Sequence, residues 1–362
     1  MAAQIFVGCY TRNEPHTSPP DYGQGIHCYS VDLNTGEIVM SSRNACISLR
    51  ENPTFLCSFD NGSKLAVVCE EEVGKLSLFD VNTDGDATKI TDSPTFHYTC
   101  YVAESRGCLL VCSYMTGQVQ SFKWSPGGLE ERSCLKQTEM CATVESRQMA
   151  AHPHCVVAQP GSDLVLTTDL GADRIYKYRL NAETGQLSSW NDGDISKSWV
   201  YTLPGAGPRH IIFHPQNPSI AYVACELSNQ VLVYHISATD RALELRQTRS
   251  TLPIDFQGTS YASDLHTTPD GRFLYVSNRG FDTLAIFSID LGSGLLRLID
   301  WEPTRGGCPR NFAISPCGKL LIVANQNSSN LVSFHVCSQT GRLRFTGHTA
   351  HCSAPACVKF SA

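Results

Sequence analysis

The chain has 362 residues, of which 42% are hydrophobic and 17% are charged, so it is long and apolar enough to bury a large core. Its net charge is −6 and no basic cluster stands out, which argues against nucleic acid or an acidic membrane surface as the main partner. The N-terminus lacks a signal-peptide pattern and no apolar run approaches the roughly 20 residues of a membrane helix, so we expect a soluble cytoplasmic protein without membrane contacts.

The first predicted elements form a blade that lacks its innermost strand. Residues 4–10 are apolar and are predicted to be a second strand, and residues 25–31 a third. A long insertion, residues 14–23, separates them, and Thr35-Gly36 marks the turn to a fourth strand.

Six segments then repeat one pattern. Each has an apolar strand, a turn rich in Pro, Asp or Gly, a second apolar strand, a polar break, a third strand and a weaker fourth. The segments begin at residues 53, 98, 153, 208, 262 and 309, and a second long insertion, residues 136–151, precedes the third of them. This spacing fits four-stranded propeller blades better than strands that alternate with helices.

The C-terminus completes the count of blades. Residues 355–360 read as a first strand with nothing after it, which is the strand that the N-terminal blade lacks. Joining the two ends closes the ring and removes exposed sheet edges. We therefore predict an all-β, seven-bladed β-propeller, formed as a single domain from residues 1–362, with one blade closed by N- and C-terminal strands.

Two positions of the repeat vary from blade to blade and are candidates for function. One follows the opening proline position of each first strand, and the other ends each second strand. Because these strands are antiparallel, both sets are expected around one mouth of the central channel. The first set is Thr54, Thr99, His154, Arg209, Ser263, Arg310 and Ala356. The second set is Tyr10, Glu70, Tyr114, Asp169, Glu226, Arg279 and Gln326.

The charged members of these sets point to chemistry on an anion. Arginines hold carboxylate or phosphate oxygens and stabilise a developing oxyanion. Glu226 and His154 can each move protons, with Asp169 as a reserve carboxylate. No Gly-x-Ser-x-Gly motif is present, so water is the expected attacking group. The sequence thus predicts a small anionic substrate.

Other polar or reactive side chains fit structural positions. In the motif His152-Pro-His154 only His154 falls in a variable set, so we expect no metal and no cofactor. We expect His214 in a turn, and Glu70 in a solvated acidic turn. The 17 cysteines lack Cys-x-x-Cys spacing, and many of them are expected as buried thiols of a reducing compartment, with Cys225 turned away from Glu226.

Several motifs resemble a known family. These are Gly207-Pro-Arg-His210, Glu226-Leu-Ser-Asn229, Pro309-Arg-Asn-Phe312 and the run from residue 269 to 279. They resemble the seven-bladed lactonase family, which contains the propeller-type 6-phosphogluconolactonases and the fungal carboxymuconate lactonising enzymes. The resemblance covers essentially the whole chain and is strongest from about residue 150 onward.

The resemblance implies a catalytic set of His154, Arg209, Glu226 and Arg279. The arginines would bind the anionic group and polarise the lactone carbonyl, while Glu226 or His154 activates water and the other protonates the leaving alkoxide. We add Arg310, Asp169 and Tyr10 as candidates for substrate binding.

The function expected from this resemblance is hydrolysis of 6-phosphogluconolactone to 6-phosphogluconate, in the oxidative pentose phosphate pathway. Another lactone, or carboxymuconate cycloisomerisation, is the alternative among enzymes, because family membership does not fix the reaction. A non-catalytic binding platform, which would use the two insertions, is the alternative of another class.

Overall fold

The computed structural model describes residues 2–14, 19–41, 46–49, 51–191 and 198–361. Residues 15–18 of the first insertion lie outside these ranges.

Every regular element within the described ranges is a β-strand. The strands are β1 (Ala2–Cys9), β2 (Gly25–Asp32), β3 (Ile38–Met40), β4 (Cys46–Ser48), β5 (Pro53–Phe59), β6 (Lys64–Cys69), β7 (Lys75–Val81), β8 (Ala87–Pro94), β9 (Thr99–Ser105), β10 (Cys108–Ser113), β11 (Gln118–Ser125), β12 (Gly128–Lys136), β13 (Pro153–Ala158), β14 (Leu164–Asp169), β15 (Arg174–Leu180), β16 (Leu187–Ser189), β17 (Trp199–Tyr201), β18 (Pro208–His214), β19 (Asn217–Cys225), β20 (Gln230–Ile236), β21 (Leu243–Ser250), β22 (Tyr261–Thr267), β23 (Phe273–Arg279), β24 (Thr283–Ile289), β25 (Leu296–Pro303), β26 (Pro309–Ile314), β27 (Leu320–Asn325), β28 (Asn330–Val336), β29 (Leu343–His351) and β30 (Pro355–Phe360).

The burial of each strand follows its place in its sheet. The second strands β10 and β14 are buried at every residue. Strands covered on both faces read as continuous apolar runs, which is how these segments appear in the sequence. The fourth strand β12 is half-buried or exposed along its whole length. This difference explains why fourth strands give the weakest signal in the sequence.

The strands pair into seven antiparallel sheets, which are the blades of a seven-bladed β-propeller. Six sheets follow chain order, and the seventh has the order β3-β2-β1-β30, with β4 also paired to β2. In that sheet Ile5 lies opposite Phe360 and Val7 opposite Val358. The predicted fold class and the closure of one blade by both chain ends are confirmed.

The strands that open the blades begin where the repeat predicts. β5, β13, β18, β26 and β30 each start at the predicted proline. β9 and β22 start within one residue of the predicted positions. A proline suits a first position because it brings no backbone N–H to the ladder.

The chain divides into two compact units. One comprises Met1–Val67, Phe79–Lys89 and Thr251–Ala362, and the other Val68–Leu78 and Ile90–Ser250. In the first unit Ile5, Val358 and Leu331 belong to one buried cluster. In the second unit Cys155, Ile211 and Val223 do so. The single domain over residues 1–362 stays a prediction.

Candidate active site

Two of the predicted catalytic residues lie at β-bulges. In β13 Pro153 pairs with Asp169 and Cys155 with Thr168, so His154 is an extra residue in the ladder. In β18 Pro208 pairs with Cys225 and His210 with Ala224, and Arg209 is extra in the same way. A bulge redirects a side chain from the regular alternation of a strand. Repeated at the start of first strands, it places His154 and Arg209 at equivalent positions of neighbouring blades.

Glu226 lies between two arginines. Its Oε2 is 3.1 Å from Nε of Arg209, and its Oε1 is 2.6 Å from Nη2 of Arg147. The side chains of Glu226 and Arg209 are 4% and 3% exposed, whereas that of Arg147 is 33% exposed. The two guanidinium groups stabilise the charged form of the Glu226 carboxylate, and the three groups together carry a net positive charge.

These three side chains belong to a closed ring of contacts. Nη1 of Arg209 lies 3.0 Å from Nε2 of His210. The imidazole of His210 meets that of His154 edge to face, with centroids 5.4 Å apart. His154 in turn meets Tyr114 edge to face at 5.4 Å, and the Tyr114 hydroxyl accepts a hydrogen bond from Arg147. We call the six residues Arg147, Glu226, Arg209, His210, His154 and Tyr114 the site ring.

Hydrogen-bond partners determine which ring nitrogen carries the proton in two imidazoles, those of His210 and His152. A guanidinium only donates, so Nε2 of His210 accepts and its proton lies on Nδ1. A carbonyl only accepts, so Nδ1 of His152 donates to the carbonyl of Tyr114, at 2.9 Å. Burial lowers the pKa of His152, and the charge of Arg147 lowers it further against the opposing hydrogen bond to Tyr114. His152 is therefore neutral near pH 7, stacked at 4.3 Å on Tyr114.

Two groups within the site ring itself, Tyr114 and Arg147, have shifted pKa values. Burial raises the pKa of the Tyr114 hydroxyl, and the charge of Glu226 adds to this rise. Burial lowers the pKa of Arg147, but the charges and hydrogen bonds of Glu226 and Tyr114 outweigh it and leave the pKa above its usual value. Tyr114 thus stays protonated and Arg147 charged at neutral pH.

Asp169 orders the backbone beside His154. Its side chain is fully buried, and Oδ1 accepts the backbone N–H groups of His152 at 2.8 Å and Ala172 at 3.0 Å. Burial raises its pKa to about 7, against backbone hydrogen bonds that lower it. The structure therefore connects Asp169 to the site through the turn that carries His152. Substrate binding by Asp169 stays a prediction.

The segment that carries Arg147 is anchored by Gln148 and Asp173. Nε2 of Gln148 donates to Oδ1 of Asp173 and to the carbonyl of Leu170, both at 2.8 Å. Asp173 also accepts the backbone N–H groups of Gly205 at 2.6 Å and Gly207 at 2.7 Å. One carboxylate thus holds the insertion and the loop that leads into β18.

The other predicted site residues lie in the first unit. The guanidinium of Arg310 sits over the ring of Tyr10, 5.2 Å from its centroid, so these two candidates contact each other. Arg310 is also the extra residue of a bulge, between the pairs Pro309–Asn325 and Asn311–Ala324. Arg279 ends β23, and its Nη2 lies 3.5 Å from the carbonyl of Ala262. Catalytic or binding roles for these residues stay predictions.

One expectation about an acidic turn is wrong. Glu70 and Glu71 are only 5% and 7% exposed, so these two side chains are not solvated, whereas Glu72 in the same turn is exposed. The backbone of this turn is hydrogen-bonded to the residue before β9, since the N–H of Tyr98 donates to the carbonyl of Glu71 at 2.7 Å. The expectation for Cys225 is confirmed, since it is fully buried in an apolar cluster. His214 is the last residue of β18 rather than part of the turn, and its Nδ1 accepts the N–H groups of Gln216 and Asn217 in the turn that follows.

Sequence reasoning missed Arg147. It lies in the insertion 136–151, which occurs in one blade only, so it has no counterpart in the other repeats. The available signal was the length of the insertion and its end directly before His152-Pro-His154.

Neither a metal site nor a membrane helix is found in the described ranges. No three His, Cys, Asp or Glu side chains among the described residues are grouped to hold a metal ion. That part of the chain also contains no helix long and apolar enough to cross a membrane.

Comparisons with known proteins identify similar families and structures. A family model described as "Lactonase, 7-bladed beta-propeller" matches residues 4–360. The chain is 31% identical to a 6-phosphogluconolactonase of Bacillus subtilis strain 168, over 98% of this chain and 97% of the relative. It is 32% identical to a 6-phosphogluconolactonase of Formosa agariphila over 94% of both chains.

Two solved structures share the fold over nearly their whole length. A periplasmic gluconolactonase of Pseudomonas aeruginosa superposes with a TM-score of 0.89 at 31% identity, covering 100% of this chain and 99% of that one. A putative 6-phosphogluconolactonase of Bacteroides fragilis superposes with a TM-score of 0.87 at 27% identity, covering 99% and 98%.

Proposed function

Because the chain belongs to the seven-bladed β-propeller lactonase family, we propose that it hydrolyses 6-phosphogluconolactone to 6-phosphogluconate. The family model together with two relatives named 6-phosphogluconolactonase over 94% or more of their length identifies the chain as a lactone-hydrolysing enzyme. The observation that carries the choice of an anionic lactone is Glu226 held between two guanidinium groups, in the site ring that also contains His154. Two cations against one carboxylate attract an anion, and two relatives bear the name of this activity.

Arg209 is placed to stabilise charge on the lactone carbonyl. It is buried and held by Glu226 at 3.1 Å and by His210 at 3.0 Å, so its guanidinium is oriented before substrate arrives. Addition of water to the carbonyl carbon puts negative charge on the carbonyl oxygen. A preorganised cation in a desolvated site stabilises that charge more than water does.

We assign proton transfer to His154 and positioning to Glu226. Both carboxylate oxygens of Glu226 lie at guanidinium nitrogens, which makes this carboxylate a holder of two cations rather than a base. His154 takes a proton from water as its oxygen bonds to the carbonyl carbon. It returns the proton to the ring oxygen as the acyl C–O bond breaks, which yields the open aldonic acid; the new carboxyl group then releases its proton to water and becomes the aldonate.

The remaining predicted residues keep narrower roles in this proposal. Asp169 positions the turn before His154 through the N–H of His152. Arg279, Arg310 and Tyr10 are proposed to take part in substrate binding, on the sequence argument alone.

We also propose that the protein works in the cytoplasm, downstream of the sugar oxidation that makes the lactone. The support for this compartment is the sequence, whose 17 cysteines lack Cys-x-x-Cys spacing. Sγ of Cys9 lies 3.6 Å from Sγ of Cys352, so this pair of thiols can report the compartment. An oxidising compartment favours a disulfide between thiols so close. Alkylation of freshly lysed source cells followed by mass spectrometry should find both thiols reduced. A Cys9–Cys352 disulfide there would overturn this location.

The proposed reaction is tested with purified protein and two lactones in the presence of a chelator. Freshly made 6-phosphoglucono-δ-lactone and its unphosphorylated analogue are compared, with spontaneous hydrolysis subtracted. We expect faster turnover of the phosphorylated lactone, with or without chelator. No turnover of either lactone above background would overturn the proposal, and a preference for the unphosphorylated lactone would replace the substrate.

A further inference from the structure

We propose that Arg147 selects the substrate by binding the anionic substituent of the lactone. This inference rests on the proposed lactone hydrolysis and names the residue that reads the substituent. The chemistry recognised is a phosphate or carboxylate group away from the lactone carbonyl. The inference stands on exposure, charge and the anchoring of the segment that carries Arg147.

Exposure separates the tasks of the two arginines. Arg147 is 33% exposed and Arg209 is 3% exposed, although both hold the same carboxylate. A phosphate or carboxylate group keeps part of its hydration at an exposed cation, whereas a deeply buried one would strip it. The substituent therefore meets Arg147, and Arg209 is left for the carbonyl oxygen.

The chemistry of the guanidinium allows both tasks at once. It has five N–H donors in a planar fork. Arg147 donates from Nη2 to Oε1 of Glu226 at 2.6 Å and also hydrogen-bonds the Tyr114 hydroxyl. The fork can hold these partners and still donate to oxygens of an anion. The raised pKa of Arg147 keeps it charged over the working range of pH.

The segment that carries Arg147 is fixed on both sides. Oε1 of Gln148 accepts the backbone N–H of Val144 at 2.9 Å, and its Nε2 donates to Asp173 at 2.8 Å. The backbone N–H of Arg147 donates to the carbonyl of Val144 at 2.9 Å. With its backbone anchored and its guanidinium already held by Glu226 at 2.6 Å, the Arg147 side chain loses little conformational entropy on binding, which favours discrimination between ligands.

The test compares three sugar lactones that differ at C6, which bears a phosphate, a carboxylate or a hydroxyl group. The specificity constants kcat/KM are measured for wild type, Arg147→Gln and Arg147→Lys. Arg179→Gln is the matched control, because Arg179 is 44% exposed and paired with Asp163 at 3.1 Å, outside the site ring. Binding of 6-phosphogluconate and gluconate by calorimetry gives a second readout that needs no turnover.

We expect Arg147→Gln to lower the preference for the charged over the neutral lactone by roughly 10- to 100-fold, the range for a lost hydrogen bond to a charged group. The loss should appear mainly in KM, and 6-phosphogluconate should lose affinity where gluconate does not. Arg147→Lys should lose less, and Arg179→Gln should match wild type. Comparison of the carboxylate lactone with the phosphorylated one shows whether Arg147 recognises negative charge in general or the phosphate group in particular.

Two results would overturn the inference. An equal loss on all three lactones, with unchanged binding of both products, would mean that Arg147 acts only by holding Glu226, and lactone hydrolysis would stand. If wild type hydrolysed none of the lactones, the proposed function would fail, and the inference with it.

Discussion

Arg147 and Glu226 are 79 residues apart in the chain, yet Nη2 of the first lies 2.6 Å from Oε1 of the second. Glu226 directly follows the second strand of its blade, while Arg147 comes from an insertion found in one blade only. The contact completes a cation pair around one carboxylate. The insertion thus supplies one of the two cations at Glu226, and the repeated strand β18 supplies the other.

Arg209 should be needed for catalysis even when its charge is kept. Arg209→Lys leaves one ammonium, which cannot hold both Glu226 and His210 in the geometry of the fork. We expect kcat to fall roughly 100-fold, in the range for a lost oxyanion-stabilising donor. Steady-state kinetics on the phosphorylated lactone measure this, and a wild-type kcat would remove Arg209 from the mechanism.

His154 should carry the proton transfer. His154→Gln keeps the size and a hydrogen-bonding side chain but removes the proton shuttle, so kcat should fall by roughly 10²- to 10⁴-fold. His214→Gln is the matched control, because His214 is also buried in the first strand of a blade but lies outside the site ring, where its Nδ1 accepts N–H groups of the following turn. The account fails at this point if both variants lose activity equally.

Asp169 should make stability depend on pH. Its folded pKa is about 7, above the ordinary value of 3.8. Between these values the folded protein keeps a proton that the unfolded chain releases, so the free energy of unfolding falls as pH rises, by at most about 1.4 kcal/mol per pH unit.

Asp169→Asn tests this pH dependence. The amide keeps an oxygen for the N–H groups of His152 and Ala172, but it cannot titrate. Urea unfolding at pH 4, 5.5 and 7 should therefore show a flatter profile than wild type. Parallel profiles for the two proteins would contradict the raised pKa.

The terminal strands should stabilise the whole propeller. Removing residues 355–362 takes away β30 and leaves the edge of β1 unpaired, including the positions opposite Phe360 and Val358. We expect the unfolding midpoint to fall by more than about 10 °C, since several kcal/mol are lost, and soluble aggregates to form. Thermal unfolding and size-exclusion chromatography measure both effects. A truncated protein with the wild-type midpoint would show that closure adds no stability.

The fold was predictable because each blade repeats the same physical demand. Second strands such as β10 and β14 are buried on both faces, so their apolar runs stand out at a regular spacing. The pairing of the chain ends was predictable for the same reason, since the N-terminal blade lacked a first strand and the C-terminus supplied one.

The site was predictable only where it lies on the repeat. His154, Arg209 and Glu226 occupy positions that every blade has, so their deviation from neighbouring blades is visible. Arg147 lies in an insertion and has no equivalent position in the other blades. The contacts of His210 with Arg209 and His154 depend on the directions of side chains at two bulges, which the sequence does not show. Burial of Glu70 and Glu71 was missed because a local acidic run does not show which segment covers it.

The most direct test of the site is the ratio of kcat/KM for Glu226→Gln to that of wild type on the phosphorylated lactone. Glu244→Gln serves as control, because Glu244 pairs with Arg246 at 2.6 Å on the exposed strand β21. With thermal unfolding confirming that both variants are folded at the assay temperature, we predict a loss of about 100-fold or more for Glu226→Gln and none for Glu244→Gln. Wild-type hydrolysis by folded Glu226→Gln would contradict the account.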